Sequence, residues 1–597
     1  MPKWRRWIAI AVALYLLLVL LDRFVLVELF VRRCGVALAA AVFEALAVVG
    51  IGYAVTRVIP SAARTLLRRR TAGDSSPSTP LGMTRWGELD LGRDLLIGYP
   101  IFGALCFLLG LLSTAAPLML AILVVAGVWG MYAVVRRFES RPVTLDAIGW
   151  PPGILLVLIV IGVAMAQAPP SSLDELAYHL AVPWTWIKEG RAIALPLLSH
   201  SYFPLGIESA DLPLLALLGP LGGGIASHFL HLFAAIAAAA VAWELTGRNG
   251  LATAAIITTP ALLIATGWSF VDWPLVGLAL VAFEAADDDA RFAAAIGAGL
   301  LTKYTFIPIA IVLIVASRRW RAALPALAIG CVFFVRNAIL TGNPLAPFFT
   351  GLAPHVAHYR GAAYLSDYVF DGKFIDESLG ASLLALLPLT TGLVPIILAL
   401  AAVALFFLAP SARILLPFLA VPAARNLPPS RTLRVLLAIA VAVQLFLAVW
   451  FVDRSGVFAL LSGNQSDEEY LVKARASYVT VESIDALTPP DAVVLVVGLN
   501  ETYWFQHRVR GGGNFDGPRV SAYLEQPTPD ALYARLKSDG VTHVAVVSLP
   551  PPTSVAKKVE ERETALSPAA QRMMSQTLDR YAAGVVSRGA ATLFTLR

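Results

Sequence analysis

Asp174 and Glu175 stand side by side about six residues beyond an apolar run at 152–168, in the first long stretch of mixed polarity in the chain. Two adjacent carboxylates at the mouth of an apolar helix can take a proton from a hydroxyl, and carboxylates are expensive to leave beside hydrocarbon without a purpose. Asp174 precedes Tyr178 by one helical turn and Glu175 precedes His179 by one turn. A helix from 173 to about 189 would therefore line up these polar groups on neighbouring faces. Trp184 and Trp186 suit a helix lying at a membrane interface. The same acids admit a plainer role, because Ser171 with Asp174 and Ser172 with Glu175 each fit a capping box. Starting a helix and accepting a proton are compatible roles, and the spacing leaves both open.

Other polar residues fall at comparable places. His200, Tyr202 and Glu208 share the loop with the acids, and Asp272 sits beside Trp273 and Pro274 at the end of an apolar run, where a structural hydrogen-bonding role is equally open. Lys303, with Tyr304, lies at a turn between two short apolar runs, and Arg336 lies late in another. A phosphate would compensate both cations, and so would snorkelling of each long side chain to the interface. Their placement on the same face as Asp174 favours the phosphate. His355 and His358 have metal-type spacing but lack a defined third ligand, and His228 and His231 fit helix packing. No cofactor is assigned, and a divalent metal requirement is left open.

The elements that must hold these groups are membrane helices. Of 597 residues, 58% are apolar and 14% charged, and the mean hydropathy is +0.73, which excludes a water-soluble globule. The formal charge of +6 sits mainly in Arg clusters between apolar runs, as cytoplasmic loops are marked, so nucleic acid is not an expected partner. The first run, 8–30, follows Lys3, Arg5 and Arg6 without a cleavage site and is read as a retained span. Spans are expected at 8–30, 36–59, 95–113, 115–135, 152–168, from about 208 to Arg248, at 250–266, 268–286, 292–302, 304–317, 322–341, 381–408 and 432–452. That is about thirteen, with a Ser/Pro/Gly-rich cytoplasmic linker at 71–82. Asp174, Glu175, Lys303 and the acidic 342–380 loop then lie outside the cytoplasmic membrane. So does the C-terminal segment, unless the short Pro-bearing run at 414–424 also crosses.

From 453 the composition becomes that of a small soluble α/β domain. Ser466 with Glu469 predicts a capped helix running to about 487, 492–498 and 541–548 predict short strands, and Thr528 with Pro529 starts a helix that Gly540 stops. The glycines at 511–513 follow no dinucleotide-binding pattern and are read as a loop. The three cysteines, Cys34, Cys106 and Cys331, show neither metal spacing nor a pairing pattern.

The run SSLDELAYHLAVPWTWIKEGRAIALPLLSHSYFPLGIESADLPLLALLG, followed in order by FVDWPL, LLTKYTFIP and VRNAILTGNPLAPFF, resembles the membrane-embedded GT-C glycosyltransferases. It looks most like the bacterial relatives of protein O-mannosyltransferases and of the lipid A aminoarabinose transferase, a family 39-like group. The resemblance covers about 150–350. It implies a GT-C-like helical core at 151–452, extra hairpins at 1–150 and the α/β domain at 453–597. It further implies transfer of a sugar from a polyprenyl phosphate donor, at the outer face of the cytoplasmic membrane, to an acceptor glycan, lipid or protein. Asp174 would be the general base, with Glu175 assisting it. Lys303, Tyr304 and Arg336 would hold the donor phosphate, and His179, His200, Tyr202, Glu208 and Asp272 would contact substrate. In the simplest members the acid loop follows the first span, whereas here it follows the fifth.

Two other classes stay open. A polysaccharide polymerase or ligase using lipid-linked glycans would share the donor, but would be expected to carry paired arginines in a large outer loop, where 342–380 offers only Arg360. A secondary transporter should show repeated halves with broken helices, and no such repeat is seen. A scaffold role would give no reason for so many charges at one face.

Overall fold

A computed structural model describes residues 26–58, 90–140, 152–247, 249–257, 265–347, 430–512, 516–548 and 565–597. The chain is mostly helical. Among the described residues five helices are long and apolar enough to cross a membrane: Arg33–Arg57, Leu91–Gly110, Ala116–Arg136, Leu212–Leu245 and Leu437–Arg454. A sixth is counted if Trp320–Gly330 and Val332–Thr341, bent by 61°, form one broken span. The runs at 292–302 and 304–317 are realised as Asp289–Thr302 and Phe306–Ser317. Each is a helix of roughly 20 Å, short of the ~30 Å hydrocarbon layer. Most of 8–30, the runs at 381–408 and 414–424, the linker at 71–82, and His355 and His358 lie outside the described residues.

The first hairpins are built into the same core as the rest. Cys34, Ala41 and Val48 from the first described helix, Leu96, Tyr99 and Phe102 from the second, and Phe229, Ala234 and Ala238 from Leu212–Leu245 form one buried apolar cluster. Glycine permits the closest approach. A Cβ on Gly103 would lie 1.6 Å from the carbonyl oxygen of Gly206, so the second helix touches the backbone of the loop that follows the acids. At the opposite end of the bundle the buried guanidinium of Arg93 is bonded by Glu244 at 2.8 Å and Glu284 at 2.5 Å, tying three helices with one side chain. Leu212–Leu245 itself is kinked where Gly219 adopts φ 70° and Pro220 supplies no N–H.

The C-terminal α/β unit holds a five-stranded sheet in the order β2-β1-β3-β5-β4. The strands are β1 (Val493–Val497), β2 (Arg508–Arg510), β3 (His543–Val547), β4 (Ala582–Arg588) and β5 (Ala591–Leu596). β1 runs parallel to β2 and β3, whereas β3–β5 and β5–β4 are antiparallel. The central β1 is Val/Leu throughout and wholly buried, as a strand covered on both faces requires. The capping box of Ser466 and Glu469 forms as predicted, but its helix ends at Ala474. Arg475 is extended, and a second helix, Ala476–Leu487, follows. Thr528 caps Pro529–Ser538, also as predicted.

This unit sits directly on the acid loop. Arg33 bonds both Asp467 and the carbonyl of Gln167, Arg475 donates to Ser171 O at 2.6 Å, and Arg510 pairs with Glu189 at 2.5 Å. Asp516 accepts the Ser199 N–H at 2.9 Å, and Arg519 donates to Pro196 O at 2.9 Å.

Candidate functional site

The helix that carries the acids starts where the sequence places it, but it is not a plain α-helix. Residues 173–174 are helical, Glu175–His179 form a π-helical turn, and Ala181–Lys188 resume the α-helix. The Leu180 N–H accordingly reaches back five residues to Glu175 O, at 3.0 Å. Such one-residue bulges widen a helix and re-aim the side chains beyond them.

The two acids have different surroundings. The capping box falls to Glu175. Its Oε2 accepts the Ser172 N–H at 3.1 Å and the Ser171 N–H at 3.3 Å, while the Glu175 N–H meets Ser172 Oγ at 3.4 Å. Oε1 accepts from His228 Nε2 and from the Ser269 N–H, both at 2.7 Å. Burial alone would raise this carboxyl, but the His228 ring and the N–H bonds outweigh it and bring it down to about 2. With two protein donors on each oxygen and no exposure, Glu175 joins three chain segments. The expected assistance to Asp174 would therefore come through how Glu175 positions these segments, since both of its carboxylate oxygens are already bonded within the protein. Asp174 is half-buried and makes no capping hydrogen bond from its side chain.

Around Tyr178 the polar residues singled out in the sequence come together. Burial, and then the negative charges of Asp174, Glu208 and Asp272, push the Tyr178 phenol well above its ordinary range, so it stays a neutral donor. His179 Nδ1 lies 2.8 Å from Glu208 Oε1, both side chains being buried. The His200 ring stacks on Tyr178 at 4.4 Å. Burial, together with His179, Lys303 and Arg519, lowers His200 to about 3, which leaves its imidazole neutral.

The segment 200–203 is then held from the other side. Arg336 donates to Phe203 O at 3.2 Å and to Asn337 Oδ1 at 2.9 Å, with its guanidinium 5.0 Å from the Phe333 ring centre. Asn337 Nδ2 donates to Tyr202 O at 2.6 Å and to the Tyr304 hydroxyl at 2.8 Å, and that hydroxyl donates to Ala346 O at 2.7 Å. Tyr304 is thereby a brace between segments, pointing its only proton at a carbonyl. Lys303 is half-buried in the turn after Asp289–Thr302, extended at φ −163°.

A cavity of about 340 Å³ opens beside this brace. Its walls are apolar, among them Phe107, Leu108, Leu111, Val335 and Ile339, and Tyr202 and Arg336 stand on its lining. Among the described residues no group of three or more His, Cys, Asp or Glu side chains could hold a metal ion.

Sequence reasoning reached the Ser172 partner of Glu175 but not Asn337, Arg519 or the bonds of Glu175 to His228 and Ser269. Asn337 follows Arg336 directly, and an amide next to an arginine within an apolar run is a signal that could have been read. Arg519, whose guanidinium lies 5.2 Å from the Tyr202 ring centre, comes from the α/β unit, and nothing local marks it. His228 does join helices, as expected, but through the carboxylate of Glu175.

No family model and no curated protein matches the chain. Among solved structures it is similar to ArnT from Cupriavidus metallidurans bound to undecaprenyl phosphate and to the same protein in the apo state. In each case the identity is 15%, the alignment covers 75% of this chain and 98% of that chain, and the TM-score is 0.43.

Proposed function

We propose that the protein is an integral-membrane glycosyltransferase of the GT-C type that moves a sugar from a polyprenyl-phosphate-linked donor to an acceptor outside the cytoplasmic membrane. The observation that carries this reading is the apolar cavity with Arg336 on its lining. An isoprenoid tail needs apolar walls and a phosphate needs a cation, and the cavity offers both at one place. The charge–aromatic contacts of Arg336 and its bonds to Phe203 O and Asn337 hold the guanidinium still, as phosphate recognition favours. Lys303 is the second cation for the phosphate. Phe107, Leu108 and Leu111 give the second hairpin a part in donor binding.

In this reading Asp174 takes the proton of the acceptor hydroxyl as the oxygen attacks the anomeric carbon. The bond from that carbon to the phosphate oxygen breaks, its electron pair leaves with the lipid phosphate, and Arg336 and Lys303 stabilise the charge. Tyr178, a neutral donor, and the His179–Glu208 pair line the acceptor side with His200, Tyr202 and Asp272.

Transfer of radiolabelled sugar from a panel of polyprenyl phosphate donors into membrane extracts tests the reading. Wild type is compared with Asp174→Asn and Arg336→Ala at matched folded amounts. Transfer is expected from the wild type and is expected to fall in both variants. Transfer undiminished in both variants, or absent with every donor from well-folded wild type, overturns it.

A further inference from the structure

The Asp174 helix bulges where the α/β unit touches it. The carbonyl oxygen of Leu176, inside the π-helical turn, accepts the N–H groups of both Thr502 and Tyr503, at 2.9 and 3.1 Å. A carbonyl pulled out of line with its own helix needs partners elsewhere, and these two backbone donors supply them. The same loop is anchored on either side. Phe505 O accepts from Trp184 Nε1 at 3.2 Å and from Lys188 Nζ at 2.8 Å, on the stretch just past the bulge.

Tyr503 is the wedge. Its side chain has no exposure and packs with Leu176, Leu180, Ala181 and Leu215, so it fills the space between the bulge and Leu212–Leu245. Its hydroxyl donates to Pro220 O, at the kink of that helix. The ring's seat depends on Gly224, where a Cβ would come within 3.0 Å of the Tyr503 hydroxyl and 2.3 Å of Pro170 Cγ.

We propose that Thr502 and Tyr503 are positioning residues: the α/β unit holds the Asp174 helix in its bulged form from Leu176 and thereby fixes Tyr178 and His179 relative to Asp174. A π-bulge is one extra residue in the helix, and removing it turns everything beyond it by about 100°. Without the external donors, the Leu176 carbonyl is free to take the Leu180 N–H in an ordinary i→i+4 bond, a ladder that can close as far as His179, whose i→i+4 partner Pro183 has no N–H. Tyr178 and His179 then rotate away from the acid, although every side chain of the site is still present. The α/β unit is a structural part of the site and more than an appended recruiting module.

Main-chain donors are tested by proline. Thr502→Pro removes one N–H, whereas Thr502→Ala keeps it and serves as the control. Backbone hydrogen exchange is measured over residues 173–181 and over β1, with sugar transfer measured in parallel. The first readout stands on its own; only the second rests on the function proposed above. Thr502→Pro is expected to speed exchange in 173–181 by about tenfold, the worth of one hydrogen bond, with β1 unchanged. It is expected to lower kcat by a similar factor and to leave KM for the donor as it was; Thr502→Ala matches wild type in both. A folded Thr502→Pro protein with wild-type exchange over 173–181 overturns the proposal. If Thr502→Pro does not fold, exchange in the wild type decides: Thr502 and Tyr503 N–H groups that are protected and open together with 173–181 support the proposal, and exchange of these two N–H groups while 173–181 stays protected overturns it. Absence of transfer in the wild type counts against the proposed function, and exchange still decides this inference.

Discussion

Glu175 Oε1 and His228 Nε2 are 2.7 Å apart with neither side chain exposed, so the second acid of the pair is spent on holding the Leu212–Leu245 helix against the acid loop. Its neighbour Asp174 is left half-buried at the start of the bulge. In the proposed reading, adjacent residues of like chemistry thus part into one that braces the loop and one that acts on the acceptor.

Glu175→Gln should reduce folded protein, because removing one partner of a buried pair strands the other, at a cost of roughly 3–5 kcal/mol. Asp174→Asn should leave the thermal midpoint near wild type while lowering transfer about 10²–10⁴-fold, as expected for loss of a general base. Thermal unfolding in detergent beside a transfer assay separates the two. Equal instability of both variants would sink the division of roles.

The Glu175 carboxyl also gives a pH signature. It is lowered from 4.5 to about 2, so its contribution to stability is complete above about pH 4.5 and is lost as the pH falls toward 2. The loss over that window should be on the order of 3 kcal/mol, read as a falling thermal midpoint. Glu175→Gln should flatten the slope, and a variant as steep as wild type there would refute the assignment.

Arg336→Ala should weaken binding of a polyprenyl phosphate by about 10–100-fold, the range for a lost charge-assisted contact. Asn337→Ala should move in the same direction by less, since it frees the guanidinium without removing it, and should also loosen Tyr304. Direct lipid-phosphate binding by isothermal titration reads both. Unaltered affinity in Arg336→Ala would place the phosphate elsewhere.

Ile339→Trp narrows the cavity without touching a charged group. Donors with long isoprenoid tails should lose affinity while inorganic phosphate still competes as it does in the wild type. Competition assays with short- and long-tailed lipid phosphates measure this. An unchanged preference would mean that the tail lies outside the cavity.

Much of this site was legible in the chain, and what was not has a common physical reason. The helix start near 173 follows from serines three residues ahead of acids, and Lys303 falls at a turn because two short apolar runs meet there. β1 announces itself as an unbroken apolar run, and β3 as a short one that follows His543. β4, by contrast, is an exposed edge strand that opens Ala-Ala-Gly, and its pairing with β5 leaves no buried alternation to read. The bulge at Glu175–His179 and the part played by Glu175 depend on Thr502, His228 and Ser269, residues whose proximity only the folded chain supplies. The same holds for Asn337, which bonds the carbonyl of Tyr202 from a distant segment as well as that of nearby Ala346.

The partners of the Leu176 carbonyl are made late. Thr502 and Tyr503 follow the Arg431–Arg454 helix, so a ribosome has already released the acid loop, and every described membrane helix, before these donors emerge. During synthesis the chain carries Asp174 without the bonds that shape its helix. The order of translation therefore makes completion of the site the final step of maturation, and chains that stop short of residue 502 keep the acid but lack its setting.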